Sequence, residues 1–269
     1  MINDPAQWER LLAPVIEIAR TAGEQIMEIY GTDFTVTQKD DHSPLTAADM
    51  AAHNTIKVGL AGLMPILPVL SEEDANVAFE QRSLWQRYWL VDPLDGTREF
   101  VKRNGDFTVN IALIEHHRPI LGVVYIPVSG VCYFASAGRG AYKQNPYKTS
   151  PIRVRCWDGG HCTVVGSRSH RGASLDSFLA KLGDYEILSV GSSLKSCLVA
   201  EGKADIYPRL GPTSEWDTAA AQCIVEEAGG QITDTRMLPL RYNTKDSLIN
   251  PHFLVFGTGG HDWARLLSS

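Results

Sequence analysis

The chain has 269 residues, 44% hydrophobic and 21% charged, the balance of an ordinary soluble globular protein large enough for one big or two intimate domains. Its formal net charge of −6 lacks the basic surplus of a protein built to grip nucleic acid, so no nucleic-acid partner is expected. A small anionic ligand stays compatible with an acidic chain where a metal cluster reverses the local sign. No run approaches the ~18 apolar residues of a transmembrane segment, and Asp4, Glu9 and Arg10 precede the first apolar run, unlike a secretory signal. Five cysteines without a Cys-x-x-Cys pair read as reduced thiols of a cytoplasmic protein rather than a zinc site.

In chain order, residues 6–30 place Leu11, Leu12, Val15, Ile18, Ala19, Ala22, Ile26 and Ile29 on one helical stripe, closed by Gly31. A second helix is expected from Thr46, with Asp49 at capping-box spacing, to about residue 63. Residues 66–70 read as a short buried strand, and Ser71 as the N-cap of a helical turn at Glu72-Glu73-Asp74. Residues 88–91 form an apolar strand that ends on Asp92-Pro-Leu-Asp95-Gly-Thr97, where Pro93 sets φ, Asp95-Gly96 signals a turn and a short helix starts at Thr97. Residues 107–114, 120–125 and 131–135 are β-branched and aromatic runs separated by turn residues, an antiparallel meander to which 139–143 adds a further strand. Residues 144–151 read as a linker. They divide the chain into an N-terminal α+β part, 1–150, and a C-terminal α/β part, 151–269. In the latter, strands at 162–166, 185–190, 204–207, 231–233 and 253–256 alternate with helices at 172–182, 193–201, 215–228 and 260–267, the pattern of a mixed or parallel sheet faced by helices.

Taken alone, Asp-Pro-x-Asp-Gly is an ordinary β-turn. Acids at helix starts answer the helix dipole, and Asp49 reads equally well as a cap. The set has a second reading. Glu72, Asp92, Asp95 and Asp217 all stand at strand ends or helix starts. If they converge, four like charges demand protonation or cations. Two or three Mg²⁺ ions would neutralise them and clamp the attacking water and leaving oxygen of a phosphate ester. The N–H groups of Gly96 and Thr97 suit an anion.

Glu72-Glu73, the turn from Asp92 to Thr97, and Trp216-Asp217, in that order, resemble the inositol monophosphatase superfamily of Mg²⁺-dependent, lithium-sensitive phosphatases over nearly the whole chain. Gly166-Ser-Arg-Ser-His170, the run from Gly191 to Gly202 containing Lys195, and Asp205-Ile-Tyr-Pro-Arg209-Leu-Gly-Pro212 resemble its 3′(2′),5′-bisphosphate nucleotidase branch. One departure is Ala221, where the family has Gly; it leaves Asp217 in place. The resemblance implies an α/β (α+β) fold, a layered αβαβα sandwich with the site between the two parts. It implies that Glu72, Asp92 and the Leu94 carbonyl hold one Mg²⁺, that Asp92, Asp95 and Asp217 hold a second, and that any third rests on Glu72 and water. Thr97 would position the nucleophilic water, with Asp49 accepting its hydroxyl proton, and Glu72 would also serve catalysis. Gly96 and Thr97 would hold the scissile phosphate beside Glu72, Leu94, Asp95 and Asp217. His170, Ser192, Lys195 and Arg209 would hold the second phosphate. Glu73 would support the metal site and Lys39 would lie near it.

The activity implied is hydrolysis of the 3′-phosphate of adenosine 3′,5′-bisphosphate, with 3′-phosphoadenylyl sulfate as a second substrate, in sulfur metabolism. An inositol phosphate phosphatase shares the metal site, and a regulatory binding protein on a phosphatase scaffold is the alternative of another class. The implied location is cytoplasmic, with peripheral association at the inner membrane known for relatives. The sequence leaves monomer and homodimer open.

Overall fold

The computed structural model describes residues 5–32, 44–167, 173–259 and 261–267. Alternation in the strands explains its layering. In β2 (Arg87–Asp95), Tyr88 and Leu90 point to one core while Trp89 and Val91 point to another, and all four are buried. A strand buried on both faces must be covered on both.

The outer cover is a helical pair, α1 (Pro5–Tyr30) and α2 (Pro44–Ala61), whose stripe of Val15, Ala19, Ala22, Ile26, Ala52 and Ile56 meets Trp89, Val91, Ile111 and Val123. The first sheet has seven strands in sequence order: β1 (Val69–Ser71), β2, β3 (Thr108–Glu115), β4 (Arg118–Ile126), β5 (Val131–Ser136), β6 (Ala141–Asn145) and β7 (Lys148–Ile152). β1 pairs parallel with β2, and the rest form the expected antiparallel meander. Two short helices, α3 (Phe79–Arg82) and α4 (Thr97–Val101), flank β2. In the second half come β8 (Cys162–Ser167), α5 (Ala173–Leu182), β9 (Tyr185–Val190), α6 (Leu194–Ala200), β10 (Ile206–Arg209), α7 (Ala219–Glu227), β11 (Gly230–Asp234) and β12 (Phe253–Gly257). Their sheet, ordered β11-β12-β10-β8-β9, is mixed: β8 pairs parallel with β9 and β10, while β12 runs antiparallel to its neighbours. α6 and α7 lie between the two sheets, and α5 with a 3₁₀ turn (Trp263–Leu266) covers the far face. The layers are those of an αβαβα sandwich.

Several expectations need correction. The first strand of the sheet is 69–71, not 66–70: Pro68 has no N–H for the ladder and Ile66 is 70% exposed. Ser71 stands at the N-cap of the 3₁₀ turn Glu72–Asp74, but it makes no capping bond; its Oγ lies 2.8 Å from His53 Nδ1. α2 starts at Pro44, a residue suited to a first helical position, so Thr46 lies inside the helix and Asp49 on its second turn. The supposed linker is a β-hairpin. β7 escaped notice because it is a polar edge strand carrying Pro151, and only an edge tolerates proline. The expected helix 215–228 breaks at Thr218 (φ −119°) into a 3₁₀ turn, Glu215–Asp217, and α7. No helix among the described residues is long and apolar enough to cross a membrane, and all five cysteines are free.

The close seating of α7 positions Asp217. Its Ala219, Ala220, Ala221 and Cys223 meet a floor of small residues, Ala112 and Ala135 flanking Gly122. A Cβ on Gly122 would fall 2.2 Å from the Ala220 carbonyl oxygen. Backbone cannot yield there, so Gly122→Ala is expected to destabilise the protein by about 3 kcal/mol, the upper range for overpacking. Thermal denaturation is the check, and an unchanged Tm would refute this close approach.

Candidate active site

The acidic turn is made by a register irregularity. Asp92 pairs with Asn110 and Asp95 with Thr108, so β2 carries one residue more than β3 across this stretch. In a regular strand, residues three apart face opposite sides. The extra residue brings both carboxylates to the same side, as bulges do where a strand meets a site. Leu94 N donates to Asp92 Oδ1 at 3.1 Å and closes the turn. Gly96 follows with φ +99°, and a Cβ there would lie 3.2 Å from Phe107 Cα, so glycine is required for the chain to enter α4.

Asp217 arrives from the other half of the chain. Its Oδ2 accepts from Ser214 N at 2.9 Å. Glu215 beside it is buried, accepts from Asn243 N at 2.7 Å through Oε2, and has its carboxyl pushed up to about 7, chiefly by burial. Asn250 Nδ2 donates to the Ser214 carbonyl at 2.6 Å and to Thr218 Oγ1 at 3.0 Å. Asp95 is held separately: Ser193 N at 2.7 Å and Asn110 Nδ2 at 3.2 Å both donate to its Oδ2, and Ser193 Oγ lies 2.7 Å from the same oxygen and 2.6 Å from the Asp217 carbonyl.

Asp92, Asp95 and Asp217 each present a carboxylate oxygen, all within 4.8 Å of one another. Burial raises the Asp92 carboxyl well above its usual range, and the charges of Glu72, Asp95, Asp217 and Asp49 add to it. Asp217 is raised to about 7, by burial first and then Asp95, against the opposing bond from Ser214. An all-oxygen, acidic donor set of this kind fits a hard divalent cation such as Mg²⁺. Glu72 is exposed on the 3₁₀ turn and lies outside the tight group of three, although its charge reaches Asp92 and Asp217; Glu73 is also exposed. Asp49 is buried on α2, with its charge felt at Asp92.

A cavity of about 300 Å³ opens beside the acids. Asp95, Gly96, Thr97 and Asp217 line it together with Ser192, Lys195 and Arg209. Leading amides of a helix lack intrahelical acceptors, so the Gly96–Thr97 entry to α4 offers N–H groups to an anion. Lys195 is buried with Nζ 5.6 Å from the Tyr207 ring centroid, and burial lowers its pKa, partly opposed by Asp95, Glu99 and Asp217. Arg209 Nη2 donates to the Pro212 carbonyl at 2.8 Å. Ser192 occupies a left-handed conformation, φ +46°, at the corner before α6. His170 and Lys39 lie outside the described residues. Sequence reading missed Asn110, Ser193, Glu99, Thr218 and Asn250, since a single Ser, Thr, Asn or Glu carries no spacing signal of its own; Ser193, inside the Gly191-Ser-Ser run, and Thr218, directly after Trp216-Asp217, stood within motifs.

The sequence profile of the inositol monophosphatase family matches residues 7–257. The chain is 53% identical over 247 residues to the 3′(2′),5′-bisphosphate nucleotidase CysQ of Escherichia coli strain K12, covering 91% of this chain and 99% of that protein. The crystal structure of CysQ from Bacteroides thetaiotaomicron, a bacterial member of the inositol monophosphatase family, superposes with a TM-score of 0.84 at 41% identity over 92% of this chain and 97% of that one. An inositol monophosphatase from Zymomonas mobilis shares the fold at TM-score 0.78 and 24% identity, covering 97% of each chain.

The raised carboxyls make metal-free stability depend on pH. The folded state keeps protons that the unfolded chain releases near pH 4, so this contribution is present below about pH 4 and is lost as pH rises through about 7. The Tm of chelator-treated protein is expected to fall between about pH 5 and 8, and added Mg²⁺ to raise it more at the higher pH. A Tm that is flat with pH and indifferent to Mg²⁺ would refute the assignment.

Proposed function

The chain belongs to the inositol monophosphatase family, and we propose that it is a Mg²⁺-dependent 3′(2′),5′-bisphosphate nucleotidase that converts adenosine 3′,5′-bisphosphate to AMP and phosphate. Enzymes of the family use Mg²⁺. The observation that carries the substrate reading is one cavity lined by two unlike sets of groups. Asp95, Asp217 and the Gly96–Thr97 turn are one set, and Lys195 with Arg209 are the other. A monophosphate ester needs only the first; a nucleoside bisphosphate needs both. The nucleotidase names of relatives at 53% identity support the same choice, whereas the inositol monophosphatase at 24% shares the fold alone. The converged acids favour an enzyme over a binding protein on the same scaffold.

On this reading Asp92, Asp95 and Asp217, with Glu72 and the Leu94 carbonyl, would hold two Mg²⁺ ions. A third would rest on Glu72 and water. Bound Mg²⁺ supplies Lewis acidity, neutralising phosphate charge and lowering the pKa of water. The chain's own groups do the rest. Thr97 orients the attacking water, taking its proton as the Thr97 hydroxyl proton passes to the Asp49 carboxylate, and the departing sugar oxygen is protonated from solvent. The N–H groups of Gly96 and Thr97 hold the scissile phosphate, stabilising charge that grows as water attacks phosphorus in line and the bond to the sugar oxygen breaks. Ser192, Lys195, Arg209 and His170 hold the 5′-phosphate, with Arg209 suited to a forked grip. The sulfated analogue, 3′-phosphoadenylyl sulfate, also carries an anionic group on either side of its sugar and would be a second substrate. The free cysteines support a cytoplasmic location.

Phosphate release from adenosine 3′,5′-bisphosphate and from inositol 1-phosphate, measured side by side with Mg²⁺ and then with Li⁺, tests this. Mg²⁺-dependent, Li⁺-inhibited preference for the nucleotide is expected; preference for the inositol ester would discard the second anion site. Asp95→Asn should nearly abolish turnover with circular dichroism unchanged, and near-normal activity would remove Asp95 from the metal set. Lys195→Ala should lower kcat/KM for the nucleotide by about tenfold or more, as loss of a buried charge contact does. Its effect on inositol 1-phosphate should be smaller; equal losses on both esters would count against the 5′-phosphate role.

A further inference from the structure

Glu99 is the third residue of α4 and lines the cavity two positions beyond Thr97. It is 9% exposed, yet its carboxylate makes no hydrogen bond or ion pair among the described residues. Burying a carboxylate without a partner works against stability, so packing gives no reason for it. Its stem is nevertheless held tightly. A Cβ on Gly191 would fall 2.4 Å from Glu99 Cγ and 2.9 Å from Cδ, so the absence of a side chain at 191 makes room for this one. Gly191 N donates to Asp106 Oδ2 at 3.2 Å, which ties that backbone to the loop before β3.

The charges around Glu99 decide what it can bind. Asp95, Gly96 and Thr97 line the same cavity, as do Arg209 and Lys195, which feels the Glu99 charge. A carboxylate repels a phosphate held by either set of groups. It accepts a hydrogen bond from a hydroxyl. Between the two phosphates of a nucleoside bisphosphate lies the sugar, and its free donor is the hydroxyl on the carbon next to the one bearing the scissile phosphate. We propose that Glu99 is a specificity residue that accepts a hydrogen bond from this vicinal hydroxyl. The inference rests on the bisphosphate nucleotidase reading. It covers the 2′,5′ isomer as well, where the vicinal hydroxyl is the 3′. The same charge disfavours a substrate carrying another phosphate on the vicinal carbon.

The test compares kcat/KM for adenosine 3′,5′-bisphosphate and for 2′-deoxyadenosine 3′,5′-bisphosphate in the wild-type protein, Glu99→Gln and Glu99→Ala, each loaded with Mg²⁺. A hydrogen bond to a charged acceptor predicts a ribose preference of about tenfold in the wild type. The preference should fall to near one in Glu99→Ala. It should be intermediate in Glu99→Gln, which keeps a neutral acceptor; if the alanine variant does not fold, the drop in the glutamine variant stands in its place. A wild-type ratio near one, or a ratio that neither substitution moves, overturns the proposal while leaving the nucleotidase reading intact. Hydrolysis of inositol 1-phosphate with neither nucleotide turned over would overturn both.

Discussion

Three carboxylates crowded within 4.8 Å of one another, one of them almost wholly buried, are the constraint around which this molecule is arranged. Their repulsion and desolvation oppose folding. Burial and mutual charge therefore push Asp92 and Asp217 upward in pKa, and without a cation the folded protein meets neutral pH at a disadvantage. Such an arrangement persists only where the surrounding structure over-determines it, and a bound ion would recover what the metal-free protein loses.

The over-determination can be followed bond by bond. Asp92 and Asp95 come from one strand, turned to one side by an extra residue and released by a left-handed glycine. Asp217 comes from a 3₁₀ turn anchored by Ser214, Asn243 and Asn250. Ser193 joins the two, touching Asp95 and the Asp217 carbonyl with one hydroxyl. Beneath them, α7 is seated close on the first sheet because Ala112, Gly122 and Ala135 leave no side chain to hold it off. The central helical layer is thus both core and alignment device: it brings a carboxylate from residue 217 to a strand that ended at residue 95.

The cavity carries both signs of charge. Asp95 and Asp217 line it and suit cations and the phosphate they would hold; Lys195 and Arg209 line it too. Lys195 is buried over Tyr207, an environment that opposes its charge and makes an anionic partner more favourable. Glu99 is a further acid lining that cavity. Net charge carries none of this information, because an acidic protein with cations clustered in one cavity can still be an anion binder.

The sequence by itself determined the periodic elements and which acids were candidates for the site. The apolar stripe of residues 6–30, the meander after Asp95, and the motif acids at 72, 92, 95 and 217 were legible because their signals are local: helical or strand period, turn residues, fixed spacing. It misread what local signals do not encode. A polar hairpin looked like a linker, since β7 gains its place from pairing with β6 rather than from its own composition. A continuous helix was expected through Thr218, where bonds from residues 243 and 250 hold a 3₁₀ turn instead. Only the tertiary structure decided which acids meet. It brought Asp217 within reach of Asp92 and Asp95, left Glu72 exposed at the edge, set Asn110 and Ser193 on Asp95, and aimed Glu99 into the cavity. These are contacts between segments tens of residues apart, produced by the packing of layers, and no spacing along the chain records the distance across a core.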